Sequence, residues 1–286
     1  MYIMEKKSKR GIVFPMKMKR SERLVDMTYQ LLENPNRLIS LTKFTERYNS
    51  AKSSISEDLG LVKKTLEMQQ VGRIETVAGA TGGVKYVPKM YTEEAIQFAG
   101  ELCELIASPE RMLPGGYVYL SDVLSNPVIL KKLGRLIASK YEDKSIDAII
   151  TVATKGVPIA QTVANYLNVP FVIVRRDSKI TEGSTVSVNY VSGSSTRVEK
   201  MELSKRSLSS GSNVLIVDDF FKAGGTISGL RSLVQEFDCT TAGAVVLCES
   251  GVSEHDIVDF ESILYLYEID SKESVIKAKP GSFFVE

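Results

Sequence analysis

The run Val214-Leu215-Ile216-Val217-Asp218-Asp219-Phe220-Phe221-Lys222-Ala223-Gly224-Gly225-Thr226 constrains the fold of this chain more than any other segment. Four consecutive apolar residues predict a short strand buried on both faces. Two adjacent carboxylates stand at its carboxyl end, and a glycine pair with a threonine opens a helix that continues from Ile227 to Phe237. Each part has a chemical reason. Glycines let backbone amides approach a phosphate, the helix amino terminus favours its negative charge, and Thr226 adds a hydroxyl donor. Paired carboxylates suit the two hydroxyls of a ribose, as a single acid does in dinucleotide sites. Neither GxxxxGK[ST] nor GxGxxG occurs, so the P-loop and Rossmann readings fall away.

The sequence around this motif alternates strand and helix. Glu93 to Ala107 reads as a helix ended by Ser108-Pro109, and Pro114-Gly115-Gly116 turns into a short strand from Tyr117 to Leu120. Pro127 to Tyr141 and Ile159 to Leu167 read as helices, while Ile146 to Val152 and Phe171 to Val174 read as buried strands. Such alternation predicts a parallel sheet covered by helices. Residues 177 to 212 break the pattern: rich in Ser, Thr and Gly, with apolar positions at Val186, Val188, Tyr190 and Val198, they predict an antiparallel excursion.

The first third of the chain has a different character. Up to Met90 there are 17 Lys and Arg against 9 Asp and Glu, a balance of +8; the remainder holds 19 against 26, a balance of −7, and the sum is the overall +1. A basic domain joined to an acidic one points to a polyanion partner for the first and a different task for the second. Residues 1 to 16 read as a basic tail. Arg20 to Leu32 carries Leu24, Met27, Leu31 and Leu32 at helical spacing before the breaker Asn34-Pro35; Leu41 to Tyr48 is a second short helix. A third begins at Ala51-Lys52-Ser53-Ser54-Ile55-Ser56, and its hydroxyls, free amides and Lys52 are what phosphate and groove-edge contacts require of a helix entering a major groove. Arg73 to Val77 and Val84 to Val87 alternate on either side of a glycine-rich bend, which predicts a hairpin. Three helices and a hairpin make a winged helix, although the same elements also serve interaction domains that touch no nucleic acid. Ser and Thr pair permissively with bases, and the third helix offers no Arg for a bidentate guanine contact, so the bases read stay open.

The thirteen-residue motif resembles the phosphoribosyl pyrophosphate (PRPP) fingerprint of type I phosphoribosyltransferases. Thr151-Val152-Ala153-Thr154-Lys155-Gly156-Val157-Pro158 is similar to the pyrophosphate loop of that family, and Glu182-Gly183-Ser184-Thr185-Val186-Ser187 stands where those enzymes carry a flexible loop. With AKSSISEDL, GGVKYVPKM and PGGYVYL added, the chain from about Met18 onward resembles the purine operon repressors of Gram-positive bacteria. The resemblance implies an α/β protein of three parts: a tail over 1–16, a winged-helix DNA-binding domain over 17–90 and a phosphoribosyltransferase-like effector domain over 91–286. It implies a homodimeric repressor of purine synthesis and transport genes, released from double-stranded operator DNA by PRPP. Carried over residue by residue, Asp218 and Asp219 take the ribose hydroxyls, Ala223, Gly224, Gly225 and Thr226 the 5′-phosphate, and Thr154, Lys155 and Gly156 the pyrophosphate, with Phe220, Lys222 and Tyr117 beside them. Magnesium enters with PRPP and takes few direct protein ligands. Guanosine tetraphosphate is implied as a competing co-repressor. The DNA face expected from this reading comprises Lys52, Ser53, Ser54, Ser56, Arg73, Lys85 and Arg20.

Lys222 departs from the enzymes. Active 6-oxopurine transferases of this fold often carry an acid there, which assists proton transfer at the base, and lysine cannot replace it. The adenine enzymes also lack that acid, so an active purine phosphoribosyltransferase with an appended nucleic-acid module remains the alternative, and a regulator acting on RNA a third. The latter lacks interleaved aromatics for stacking on single strands. Composition excludes other classes: with 43% apolar and 25% charged residues the chain can bury a sizeable core, and runs such as Ala244 to Cys248 fall far short of a membrane span. A cytoplasmic location is expected. Cys103, Cys239 and Cys248 are odd in number, distant and without CxxC spacing, which predicts buried thiols and no zinc site; the single His255 reads as a surface residue.

Overall fold

The structure is a computed structural model that describes residues 18–79, 82–177, 182–191, 198–251 and 259–285. It divides into two compact units between Val87 and Pro88. The expected basic tail and His255 lie outside the described residues.

The first unit runs α1 (Arg20–Leu32), β1 (Ile39–Ser40), α2 (Leu41–Tyr48), α3 (Lys52–Met68), β2 (Gly72–Val77) and β3 (Gly83–Pro88). Helical spacing decides which face each helix buries. Met27 and Leu31 of α1, Phe44 and Tyr48 of α2, and Ile55, Leu59, Val62 and Leu66 of α3 meet in one core with Ile74, Val84 and Tyr86 of the hairpin. The Ser40 hydroxyl accepts a hydrogen bond from the Lys43 amide and caps α2, which ends at Asn49 in the left-handed region (φ 45°). The strands form a three-stranded sheet in the order β1-β3-β2. Three helices with a hairpin after the third is the winged-helix arrangement. Strand β1 has no periodicity to reveal it, being two residues long; it exists because it pairs antiparallel with β3. That pairing fixes Gly83, where a Cβ would overlap the Ile39 carbonyl.

The second unit begins with α4 (Thr92–Ile106), then the two-residue strands β4 (Met112–Leu113) and β5 (Tyr117–Val118), which pair with each other as a separate hairpin. The expected strand from Tyr117 to Leu120 therefore ends at Val118 and does not join the main sheet. There follow α5 (Pro127–Lys140), β6 (Ala148–Val152), α6 (Val157–Leu167), β7 (Phe171–Val174), β8 (Thr185–Val191), β9 (Val198–Ser204), β10 (Asn213–Phe221), α7 (Gly225–Glu236), β11 (Thr240–Ser250), β12 (Glu261–Asp270) and β13 (Val275–Pro280). The expected antiparallel excursion is the β8–β9 ribbon, in register from Thr185 opposite Ser204 to Val191 opposite Val198.

The main sheet has the order β13-β12-β11-β10-β6-β7. Its pairs are parallel except the last, since β13 runs antiparallel to β12 and covers one edge. This is the α/β layered fold expected, with an antiparallel edge that the strand-helix alternation did not foresee. Side chains of β10 feed two cores. Leu215 and Val217 join α4, α5 and α6 on one face, and Val214 and Ile216 join α7 and the β8–β9 ribbon on the other. Because both faces are covered there, the central run Val214 to Val217 of β10 is apolar and fully buried. All three cysteines are buried free thiols, as expected.

Candidate functional site

Strands β6 and β10 are neighbours and parallel, so their carboxyl ends lie side by side. That adjacency joins the two loops singled out in the sequence. Strand β10 continues past its apolar run to Phe221, so Asp218 and Asp219 sit within its last residues, where the sequence had placed them just beyond the strand. The Thr154 hydroxyl lies 3.5 Å from Asp218 Oδ1 and 3.4 Å from Asp219 Oδ1. One hydroxyl proton serves only one of them at a time. Asp218 Oδ1 also accepts a hydrogen bond from the Asp219 amide at 3.0 Å. Gly156 closes the loop against this strand: a Cβ there would stand 2.6 Å from Asp218 Oδ1, 2.8 Å from Thr151 Oγ1 and 3.1 Å from Asp218 Cα.

The electrostatics of the pair follow from this packing. Asp218 is 5% exposed. Burial, and then the charge of Asp219 beside it, push its carboxyl well above the ordinary carboxylate range. Burial raises Asp219 too, opposed by the hydrogen bond with Asp218, the Lys155 ammonium and the Thr154 hydroxyl. The pair therefore holds a proton at pH values where isolated carboxylates are ionised. After Phe221, Gly224 takes the left-handed conformation (φ 88°) as the cap of α7, and the amides of the half-buried Gly225 and Thr226 stand at the amino end of a twelve-residue helix. No side chain caps that end, so an anion has the helix amides to itself.

The β4–β5 hairpin supplies a third wall. Tyr117 at its tip is exposed, and the Lys222 ammonium lies 5.3 Å from its ring centroid. The base of the hairpin is held by Arg111, a residue the sequence did not single out. Its Nε donates to the Leu105 carbonyl at 2.7 Å, Nη1 to the Tyr119 carbonyl at 2.9 Å, and Nη1 and Nη2 form a bidentate pair with Asp122, both at 2.7 Å.

In the first unit the amino end of α3 presents Lys52, Ser53 and Ser56 to solvent, with Ser54 half-buried. The two hairpin cations expected on the DNA face are both ion-paired. Arg73 donates to Glu75 Oε1 at 2.6 Å, and the Lys85 ammonium lies 2.9 Å from Glu75 Oε2, so one carboxylate is shared between both. Arg20 is exposed at the start of α1, with its Nε bonded to Asp58 of α3 at 2.9 Å. An Asp26–Arg47 pair with bonds of 2.6 and 2.8 Å, joined by the Tyr48 hydroxyl at 2.7 Å, fastens α1 to α2.

Comparison with known proteins completes this picture. A family model described as "Bacterial purine repressor, N-terminal" matches residues 19–88, and one described as "Phosphoribosyl transferase domain" matches residues 120–276. The protein named "Purine biosynthesis transcriptional repressor PurR" from Bacillus subtilis (strain 168) is 56% identical over 94% of this chain and 94% of its own length. The chain belongs to the bacterial purine repressor family. Another relative, "Purine biosynthesis transcriptional activator PurR" of Lactococcus lactis subsp. lactis (strain IL1403), is 52% identical over 93% of this chain and 99% of its own. A "Xanthine phosphoribosyltransferase" of Alkaliphilus metalliredigens (strain QYMF) is 29% identical over 52% of this chain and 76% of its own.

Set on this purine repressor chain, the two family models leave 89–119 unmatched, the stretch that carries α4 and the Tyr117 hairpin. The phosphoribosyl transferase match contains Thr154 to Gly156 and Asp218 to Thr226. Arg111 and Asp122 were missed by sequence reasoning, and Thr151 was quoted only as part of the loop, without a role of its own. A lone Arg in a loop and a Thr inside an apolar strand carry no local signal, and only the partners across the fold give them a role.

Proposed function

We propose that this chain regulates transcription of purine synthesis and transport genes, binding operator DNA through its winged helix and releasing it when PRPP occupies the phosphoribosyltransferase-type site. The observation that carries this reading is 56% identity, over nearly the whole of both chains, to a protein named as a purine biosynthesis repressor. A repressing sign follows the more similar of the two regulators, while the name of the 52% relative makes activation the alternative sign.

The site supports a sugar phosphate as ligand. Asp218 and Asp219 accept from two vicinal hydroxyls, and the uncapped start of α7, from Ala223 to Thr226, takes the 5′-phosphate. Thr154, Lys155 and Gly156 face the pyrophosphate, and Phe220, Lys222 and Tyr117 flank the sugar. No cluster of three His, Cys, Asp or Glu side chains suited to a metal occurs among the described residues. Magnesium therefore suits this site only as a companion of PRPP, held mainly by ligand oxygens and neutralising phosphate charge. Guanosine tetraphosphate, carrying a ribose and diphosphates, competes for the same cradle. The working unit is a homodimer in the cytoplasm, and no helix of the described residues is long and apolar enough to cross a membrane.

Sensing without transfer is the part that Lys222 supports, because an ammonium, unlike the carboxylate often found at this position, cannot accept a proton from the purine base. The likeness to a xanthine phosphoribosyltransferase favours the second reading, an active transferase with a DNA module. The deciding experiment measures affinity for a purine promoter with and without PRPP and magnesium. Effector coupling of roughly 1 to 3 kcal/mol predicts a 5- to 150-fold loss of operator affinity, and reciprocity predicts the same loss of PRPP affinity on DNA. Asp218→Asn and Asp219→Asn should keep DNA affinity and lose the release. Variants released like the parent would remove the carboxylate pair from the sensor.

A further inference from the structure

The DNA-facing unit contains a buried carboxylate that none of the roles above uses. Asp58 lies in the second turn of α3 with its side chain 1% exposed, and two arginines of α1 converge on it. Arg23 Nε donates to Oδ2 at 2.6 Å and Arg20 Nε to Oδ1 at 2.9 Å. The two arginines differ in everything else. Arg23 is half-buried, its side chain 12% exposed, and its Nη1 donates to the Ser50 hydroxyl at 3.3 Å, in the turn between α2 and α3. Arg20 is more than half exposed, and only its Nε is engaged by Asp58, which leaves the Nη1 and Nη2 end of the guanidinium directed outward. The neighbour there is the exposed Glu57, whose Oε2 is 3.8 Å from Nη2.

A fork whose Nε is fixed and whose two terminal nitrogens make no hydrogen bond among the described residues, only the long ion pair with Glu57, has the geometry for bidentate recognition of a phosphate. Free arginine loses much rotamer freedom on binding; one already held by a buried carboxylate has lost it on folding. Arg20 is also the first residue of α1, where the helix dipole adds positive potential. We infer that Asp58 is a positioning residue that presents Arg20 as a phosphate clamp fixed to the recognition helix, with Glu57 the internal anion that phosphate displaces. This rests on the DNA-binding reading above.

Charge alone and positioning predict opposite signs for one substitution. Asp58→Asn removes a negative charge from a DNA-binding unit, so a pure charge count predicts tighter binding. Positioning predicts weaker binding and a salt slope shallower by about 0.9, one phosphate contact fewer. The full-length protein is titrated against a fluorescein-labelled mixed-sequence DNA duplex at several salt concentrations, beside thermal melts of each variant. Arg20→Ala should cut the slope by about 0.9 and leave the melting midpoint near that of the parent. Glu57→Gln should tighten binding, because the competitor is gone. Since Asp58→Asn also disturbs half-buried Arg23, the double variant with Arg20→Ala decides: positioning through Arg20 predicts that Asp58→Asn weakens DNA binding no further in that background. An additive loss would overturn the inference and leave Asp58 as a staple of the fold. An unchanged slope for Arg20→Ala would also overturn it while leaving the DNA-binding reading intact, and a parent that binds no duplex would sink both.

Discussion

Replacing Gly156 by alanine sets two known effects against each other. The glycine has φ −68° and ψ −21°, helical values that alanine adopts without strain. At such a position Gly→Ala restricts the unfolded chain and stabilises by about 0.4 to 1 kcal/mol. Against this stands the space the methyl would enter, 2.6 Å from Asp218 Oδ1, 2.8 Å from Thr151 Oγ1 and 3.1 Å from Asp218 Cα, where ordinary contacts are about 3.5 Å or more. None of these neighbours yields easily. Thr151 is fully buried, and Asp218 belongs to a strand bonded on both sides. The loop from Thr154 to Gly156 must therefore withdraw by several tenths of an ångström, and overpacking of this kind costs about 1 to 3 kcal/mol. The steric term wins, and the net destabilisation is about 0 to 2.6 kcal/mol, or up to about 10 °C in the melting midpoint for a unit of this size. The larger effect falls on the site. Thr154 already stands at 3.4 and 3.5 Å from the carboxylates, so withdrawal breaks both contacts and misaligns the pyrophosphate wall. PRPP affinity, by calorimetry in the presence of magnesium, should fall at least tenfold while operator affinity without effector stays that of the parent. A variant that melts higher than the parent and binds PRPP equally well would refute the reasoning, because the loop would then not rest on the strand.

Further outcomes follow from the same contacts. A carboxyl raised by burial keeps its proton in the folded chain when the unfolded chain has released it, so Asp218 makes stability fall as pH rises above the ordinary value near 3.8. Asp218→Asn should flatten that fall above about pH 4 in thermal melts; a curve parallel to the parent's would contradict it. Arg111→Met leaves the Leu105 and Tyr119 carbonyls without their donor and should cost about 1 to 3 kcal/mol in denaturant unfolding, with effector response lost as the Tyr117 hairpin loosens. Incubation with PRPP, magnesium and adenine, guanine, hypoxanthine or xanthine should yield no nucleotide above background. Product that Asp219→Asn abolishes would favour the transferase reading.

The elements with regular apolar spacing were legible from the sequence, and those made by pairing were not. Arg20–Leu32 and Leu41–Tyr48 stand where helical periodicity put them, because Met27, Leu31, Phe44 and Tyr48 recur on one face. Of the two loops that the fold brings together, Asp218 to Thr226 was legible from its own chemistry, and Thr151 to Pro158 only through its resemblance to a known family. The two-residue strands β1, β4 and β5 have no period to read. The antiparallel edge β13 was hidden because local sequence is silent on direction. The face expected to touch DNA was legible only as a list of cations. That Glu75 would be shared by Arg73 and Lys85, and that Asp58 would sit beneath Arg20, depends on side chains brought together from different elements.

The order of the sheet has a consequence for how the chain is made. Strand β6 pairs with β7 on one side but lacks its inner neighbour until β10 exists, since Ala148 pairs with Val214, and the sheet then needs β11 to β13 to close its edge. The first unit is complete once Val84 has met Ile39. On a ribosome, where domains fold as units from the amino end, the first unit reaches its native form before the second has been synthesised. Contacts of long sequence separation also form more slowly. Under the proposed function, each nascent copy thus passes through an interval in which the unit proposed to bind DNA is complete and the unit proposed to sense the effector is not, and its length is set by the translation of the residues between Val87 and the last strand of the sheet.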